Sequence, residues 1–212
     1  MNYKLTIRFS VENLQIIHEA GEYVILEHYT KDDPGEEVWM DCFSPMQITE
    51  LEWEDNYRLY MSSDTSSTQP RIGGYTESVI DKNGVYVFGD TQGFTKQGVL
   101  EHVPYLCEVV NQSGNFPLIM FGLAGKIKNS SRKDSGELIP ITGQRVPQNQ
   151  KVEMCIPDML RLSLASKNTG LKKKVVSAPL LLECNGVSEW TVEYSADYGG
   201  FVRVQQNSLD HL

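Results

Sequence analysis

The stretch EVWMDCFSPMQITELEWEDNYRLYM, residues 37–61, predicts three consecutive β-strands and contains two of the three tryptophans of the chain. In its middle, Leu51 and Trp53 alternate with Glu50, Glu52 and Glu54. Successive side chains of a strand point to opposite faces. One face of this strand therefore carries apolar side chains, and the other carries a row of three carboxylates.

The residues that follow predict a β-hairpin. Tyr57, Leu59 and Met61 repeat the alternation, and the connection 54–56 consists of Glu, Asp and Asn, of which Asp and Asn favour turns. The upstream run 38–40 is apolar at every position, as in a strand covered on both faces. We expect Trp39, Trp53 and Leu59 to be buried, together with Leu162 and Trp190.

The rest of the chain also has the sequence pattern of short β-strands. Roughly a dozen short strands follow one another at intervals of about ten to fifteen residues, a pattern typical of sandwiches and barrels. In the segment 10–20, Val11, Leu14 and Ile17 have helical spacing, with Ser10 placed to cap the helix and Gly21 to end it. A strand through 14–16 is the alternative. We expect an all-β protein, an antiparallel β-sandwich with few short helices.

The domain organisation has two alternatives. Residues 93–98 are polar and bounded by glycines, which makes them the best internal boundary. The chain then comprises an N-terminal β unit, 1–92, and a C-terminal β unit, 99–212. Its 212 residues are also enough for one continuous β-sandwich domain.

Charge and hydropathy narrow the range of partners. The net charge of −9 argues against nucleic acid, which binds clustered Lys and Arg, and against adsorption to an anionic membrane by charge. Residues 1–9 alternate apolar and polar positions, unlike the core of a signal peptide. No apolar run approaches the ~20 residues of a spanning helix. We expect a cytoplasmic protein, or one exported without a cleaved leader.

Motifs that carry catalytic chemistry are not found in the sequence. Cys42, Cys107, Cys155 and Cys184 lie far apart and predict four buried thiols without a disulfide. The four histidines lack the spacing of metal ligands. Neither a Gly-x-Ser-x-Gly elbow nor a glycine-rich phosphate loop occurs. These absences favour a non-enzymatic protein without a cofactor other than a calcium ion, and they leave an enzyme as the alternative.

Carboxylate side chains are the candidate ligands of a bound calcium ion. Asp32, Asp33 and Glu36 lie at a predicted turn, and calcium takes several carboxylate and carbonyl oxygens. These three residues are the candidate metal ligands. The row of glutamates 50, 52 and 54 is most simply a solvated acidic face, which discourages aggregation at a sheet edge.

A long loop predicts the binding site. Residues 62–74 are rich in Ser, Thr, Gly and Pro, and loops of this length are often binding loops. Tyr75 and Tyr198 lie beside glycines, where an aromatic ring is available to stack on a sugar or to enter a membrane interface. The predicted ligand-binding residues are Tyr75, Tyr198, Ser66, Thr68 and Arg71.

These observations favour a non-enzymatic, lectin-like protein that binds a glycan or a lipid headgroup through loops at one end of a sandwich. Weak binding at each site would favour a homo-oligomer, which gains avidity. An alternative is a pore-forming toxin with a β-sandwich body, although residues 62–78 have few apolar positions for a membrane hairpin. A further alternative is a glycoside hydrolase that uses paired carboxylates.

Overall fold

The computed structural model describes residues 1–29, 38–66, 70–103, 105–131, 137–166, 174–184 and 186–204. This part of the chain contains eighteen strands and one helix. The elements are β1 Asn2–Arg8, α1 Val11–Glu19, β2 Glu22–Tyr29, β3 Val38–Phe43, β4 Ile48–Glu54, β5 Arg58–Ser62, β6 Gly74–Tyr75, β7 Gly84–Gly89, β8 Gly93–Val99, β9 Leu106–Asn111, β10 Leu118–Asn129, β11 Leu138–Pro140, β12 Gln144–Pro147, β13 Lys151–Cys155, β14 Met159–Ser166, β15 Lys174–Val175, β16 Leu180–Glu183, β17 Glu189–Ser195 and β18 Gly200–Arg203.

The strands form three sheets, which confirms the prediction of an all-β, sandwich-like fold with mostly antiparallel pairing. The long sheet has the order β18-β17-β1-β4-β10-β5-β6, with β11 and β12 also paired to β10. The second sheet, called the β2 sheet, has the order β15-β14-β2-β3, with β16 on β14. The third, called the β9 sheet, has the order β13-β9-β7-β8.

Strand β10 holds the long sheet together. Its residues 120–124 pair antiparallel with β5, and its residues 127–129 pair antiparallel with β4. On its other side the same strand pairs with β12 at 118–121 and with β11 at 124–126. Strands β4 and β5 thus behave as one bent strand that follows β10 along most of its length.

The predicted hairpin through 54–56 is wrong. Because β4 and β5 both run antiparallel to β10, they run in the same direction. The polar connection bends the chain instead of reversing it. The Asp55 carboxylate accepts from Lys82 Nζ at 2.7 Å, and Ile80 N donates to Tyr57 O at 3.0 Å. These two contacts, from the loop that contains Ile80 and Lys82, fix the bend between β4 and β5.

The two smaller sheets cover the same face of the long sheet. The odd-numbered residues of the bent strand and of β10 point inward. Trp53 and Ile127 enter a cluster with Leu162 of the β2 sheet, whereas Leu59 and Phe121 enter a second cluster with residues of the β9 sheet. Trp53, Leu59, Leu162 and Trp190 are buried as predicted; the side chain of Trp39 lies outside the described residues.

Other predictions have mixed outcomes. The helix is confirmed, with Ser10 Oγ accepting from Asn13 N at 3.1 Å and Gly21 at a φ of +66° after its end. The predicted break at 93–98 is wrong, because these residues lie in β8, which pairs with β7. Strands of units 1–92 and 99–212 pair with each other in the long sheet, and the independent folding of those units stays a prediction.

The cysteines divide into two kinds. Cys107 and Cys184 are buried, as predicted, and burial raises the pKa of each thiol to about 12. Both therefore stay protonated at neutral pH and pack as small apolar groups. Cys42 and Cys155 are only partly buried, in contrast to the prediction.

Gly122 in β10 marks a close approach of two segments. Tyr60 crosses over it to donate from its hydroxyl to Thr142 O at 2.8 Å. A Cβ at position 122 would lie 1.8 Å from Thr142 O and 2.5 Å from the Tyr60 ring. We expect Gly122→Ala to lower the free energy of unfolding by about 3 kcal/mol or more, since backbone must move.

The matched control is Gly98→Ala, because a Cβ on Gly98 meets nothing within 4 Å. Gly98 is partly exposed, so this variant should have a free energy of unfolding within about 0.5 kcal/mol of the parent. Urea denaturation measures both. Equal stability of the two variants would contradict the close packing of 60, 122 and 142.

A neutral histidine lies where the two core clusters adjoin. His28 of β2 is 2% exposed, and its ring meets the edge of Tyr57 with 6.0 Å between centroids. Within the described residues, neither ring nitrogen has a hydrogen-bond partner. Burial lowers the pKa of His28 to about 3, so the folded protein keeps this imidazole uncharged.

This histidine predicts an acid-sensitive fold. A depressed folded-state pKa gives stability that is complete above the unfolded pKa of about 6.5 and is lost as the pH falls towards 3. The loss is about 1.4 kcal/mol for each pH unit in that window. We expect His28→Phe to reduce this slope by that amount in urea titrations at pH 7, 5.5 and 4.5.

The control is Val11→Ala on the exposed side of α1, which removes no titratable group and should keep the slope of the parent. All carboxylates are common to both variants, so their contribution cancels. A parent-like slope in His28→Phe would show that another group governs acid unfolding.

Candidate ligand-binding groove

The outward face of the long sheet carries charges of alternating sign. Lys4 of β1 is opposite Glu189 of β17 on one side and opposite Glu52 of β4 on the other. Glu52 is in turn opposite Lys128 of β10. Neighbouring strands lie about 4.8 Å apart. Four strands thus align one row of carboxylate, ammonium, carboxylate and ammonium groups.

This row forms part of an open groove with a volume of about 660 Å³. A second row beside it contributes Asn2, Glu54 and Lys126. The groove is bounded by residues outside these two rows, namely Asn56, Arg58, Val79, Leu138 and Ser188. We call this feature the polar groove.

The charges of the polar groove nearly balance. Its lining contains four cations, Lys4, Arg58, Lys126 and Lys128, and three carboxylates, Glu52, Glu54 and Glu189. Lys4 Nζ also bonds Glu50 Oε1 at 2.8 Å, and this hydrogen bond raises the pKa of Lys4. The surface therefore offers hydrogen-bond donors and acceptors side by side, with little net charge.

An exposed aromatic ring lies near the groove. Tyr75 in β6 is 51% exposed, and the guanidinium carbon of Arg58 lies 5.4 Å from its ring centroid. Arg58 is held by a hydrogen bond from Nη1 to Thr76 O at 3.1 Å. Arg58 also lines the polar groove. The ring of Tyr75, which contacts Arg58, therefore lies next to the polar groove.

The structure separates the two tyrosines of the predicted loop site. Tyr198 is 77% exposed in the turn between β17 and β18, beyond the end of the sheet where β4 begins. Tyr75 is opposite Tyr60 in β5, roughly 40 Å further along the bent strand at about 3.3 Å per residue. One small ligand cannot contact both rings.

The other predicted site residues have different outcomes. Ser66 is exposed, and both its amide and its hydroxyl donate to Asp64 Oδ1. Arg71 is exposed on the same connection between β5 and β6. Thr68 and the candidate calcium ligands Asp32, Asp33 and Glu36 lie outside the described residues. A binding role for these residues stays a prediction.

The described part of the chain has neither a metal-ligand cluster nor a membrane-spanning helix. It contains no group of three or more His, Cys, Asp or Glu side chains placed to hold a metal ion. Its single helix is too short to cross a membrane.

Most residues of the groove were not identified from the sequence. The sequence predicts the acidic row that contains Glu52 and Glu54, and the alternation of residues 1–9 makes Lys4 a polar position. Lys126, Lys128 and Glu189 were missed, because they join the row only through pairing of strands that are distant in sequence. The alternation of Lys126 and Lys128 with buried Ile127 and Asn129 was the available signal.

No protein-family model matches this chain, and the comparisons with curated proteins and with solved structures found no similar protein.

Proposed function

We propose that this chain is a non-enzymatic, lectin-like recognition protein that binds a neutral glycan in the polar groove. The observation that carries the proposal is the row Glu189, Lys4, Glu52 and Lys128, which lines an open groove on four adjacent strands. Its volume of about 660 Å³ falls within the range of small-ligand sites.

The alternating charges suit hydroxyl groups. Each sugar hydroxyl donates one hydrogen bond and accepts others, so it can bridge a carboxylate and a neighbouring ammonium group. Hydrogen bonds to charged groups are stronger than those between neutral groups. A row of alternating sign therefore matches a chain of hydroxyl groups better than it matches a ligand with one kind of charge.

The same row disfavours a phosphate-bearing lipid headgroup. A phosphate placed near Lys4 or Lys128 would lie beside Glu52, and like charges repel. The net charge of −9 adds to this repulsion at an anionic membrane. We therefore favour the glycan among the two ligands expected from the sequence.

The paired strands and the neighbouring ring of Tyr75 also support glycan binding in the polar groove. Most of the groove lies on paired strands, so little backbone conformational entropy is lost when a ligand binds. Tyr75, half exposed beside Arg58, offers a flat apolar surface for one sugar face. Contacts of this kind give micromolar to millimolar affinity at one site, and a homo-oligomer would raise the avidity.

The proposal predicts which substitutions weaken binding. A glycan array identifies a ligand, and calorimetry then measures its affinity. We expect Glu52→Gln and Tyr75→Ala each to weaken binding by about tenfold, since each removes a contact worth about 1.4 kcal/mol. Both positions are exposed, so the free energy of unfolding should change by less than about 0.5 kcal/mol.

Two matched controls separate the groove from other sites. Glu153→Gln alters an exposed glutamate that contacts Lys151 on the β9 sheet, outside the groove, and should leave affinity unchanged. Tyr198→Ala should do the same, because this ring lies at the far end of the long sheet. Loss of binding in Tyr198→Ala with full binding in Glu52→Gln would favour the loop site instead.

Two further outcomes would overturn the proposal. Leakage or binding of anionic liposomes without any glycan binding would favour a membrane-active protein. Release of reducing ends from a bound oligosaccharide, abolished by Glu52→Gln, would show a glycoside hydrolase.

A further inference from the structure

A second cavity lies where the long sheet meets both smaller sheets, and it shares Tyr3 and Trp53 with the lining of the polar groove. Its volume is about 170 Å³. Four aromatic side chains line it: Tyr3, Trp53, Tyr57 and Tyr105. It is too small for a drug-sized ligand, which occupies about 300 Å³ or more. We call it the aromatic cavity.

Packing fixes the inner aromatic rings. Tyr3 and Trp53 stack with 5.3 Å between centroids and 16° between planes, and both are buried. Tyr57, the residue before β5, is 3% exposed, and its ring packs against that of His28. These rings are therefore held in place before any ligand arrives.

Tyr105 forms the outer part of the cavity and already contacts a cation. It is 53% exposed, and its backbone φ of +65° is in the left-handed region, which a large side chain seldom adopts. Lys82 Nζ lies 5.3 Å from its ring centroid. This geometry is a cation–π contact, and it shows that the ring faces positive charge.

The two carboxylates that line the aromatic cavity differ in their hydrogen bonding. Asp55 bonds Lys82 Nζ at 2.7 Å and the α-ammonium of Met1. Asp158 also lines the cavity, yet its Oδ1 is buried and, within the described residues, accepts no hydrogen bond. The indole N–H of Trp53 is likewise buried without an acceptor there. Buried polar atoms without partners are costly and rare.

We propose that the aromatic cavity binds a small organic cation, a primary or methylated ammonium group. Lys82 Nζ and the α-ammonium of Met1 already line the cavity and bond Asp55, so Asp158 is the carboxylate left to balance the charge of a bound cation. The aromatic side chains would line the space around that cation. Aromatic faces attract cations because their π electrons are negative, and methylated ammonium groups are recognised in this way. The proposal does not depend on glycan binding in the polar groove.

Other occupants fit the residues less well. A hard metal ion needs several oxygen ligands, whereas Asp158 supplies the one buried carboxylate oxygen here that lacks a partner among the described residues. An apolar molecule would fill the space but leave that oxygen without a donor. Ordered water in the cavity is the remaining alternative, and water alone is one outcome of the test.

Calorimetry on the full chain tests the proposal with three probes. Choline and tetramethylammonium carry the charge, and 3,3-dimethyl-1-butanol is the uncharged counterpart of choline. We expect both cations to bind with a Kd of about 1 mM or tighter. The uncharged alcohol should bind at least about tenfold more weakly, because it gains neither the carboxylate nor the cation–π contact.

Matched variants locate the site. Asp158→Asn keeps the size of the side chain and removes its charge, so choline affinity should fall at least about tenfold. Asp197→Asn, on the exposed turn after β17, should leave it unchanged. Tyr105→Ala should weaken choline binding, while Tyr198→Ala should not. Because Tyr105 is half exposed, we expect Tyr105→Ala to fold, so this variant still tests the site if Asp158→Asn does not fold.

Three results would overturn the proposal. The first is absence of cation binding, which would mean that the cavity holds water only. The second is equal affinity for choline and for the uncharged alcohol. The third is unchanged choline affinity in Tyr105→Ala or in a folded Asp158→Asn protein.

Discussion

The pairing of β10 with the bent strand β4–β5 is the constraint on which the rest of the structure depends. One long strand bonds β4 and β5 on one side and β11 and β12 on the other. It therefore fixes the register of both halves of the long sheet at once. A slip of one residue would turn every inward side chain outward, including Trp53 and Phe121.

That register creates two surfaces of opposite character. The inward face supplies both hydrophobic clusters, and each cluster is closed by one of the smaller sheets. The outward face aligns Lys4, Glu52 and Lys128 into the charged row of the polar groove. The core and the candidate site are thus two consequences of the same strand alternation, so a change of register would remove both together.

Two polar side chains with buried atoms lie where the three sheets meet. His28 is buried beside Tyr57, and Asp158 Oδ1 is buried near Trp53, without hydrogen-bond partners among the described residues. A fold stabilised only by apolar contact would place aliphatic side chains at these positions. The unpartnered polar atoms at this junction therefore lower the free energy of unfolding. A cation bound in the aromatic cavity, as proposed, would give Asp158 a partner and recover part of that loss.

The sequence alone determined the strand character of the chain, because alternation is a local property. The pattern Leu51, Glu52, Trp53 and Glu54 predicted which residues are buried and which face solvent, and each of these assignments holds. The helical spacing and cap of 10–20 likewise identified α1. Local patterns therefore predicted the fold class, one acidic row and most of the core tested.

The tertiary structure decided the connections, because pairing partners lie far apart in sequence. The same Glu-Asp-Asn segment can reverse a chain or bend it, and only the bonds of Asp55 to Lys82 and of β5 to β10 made it a bend. Tyr75 and Tyr198 resemble each other in sequence context, yet strand pairing places them at opposite edges of the long sheet. The polar groove and the aromatic cavity each combine side chains from distant segments, and no local pattern records that proximity.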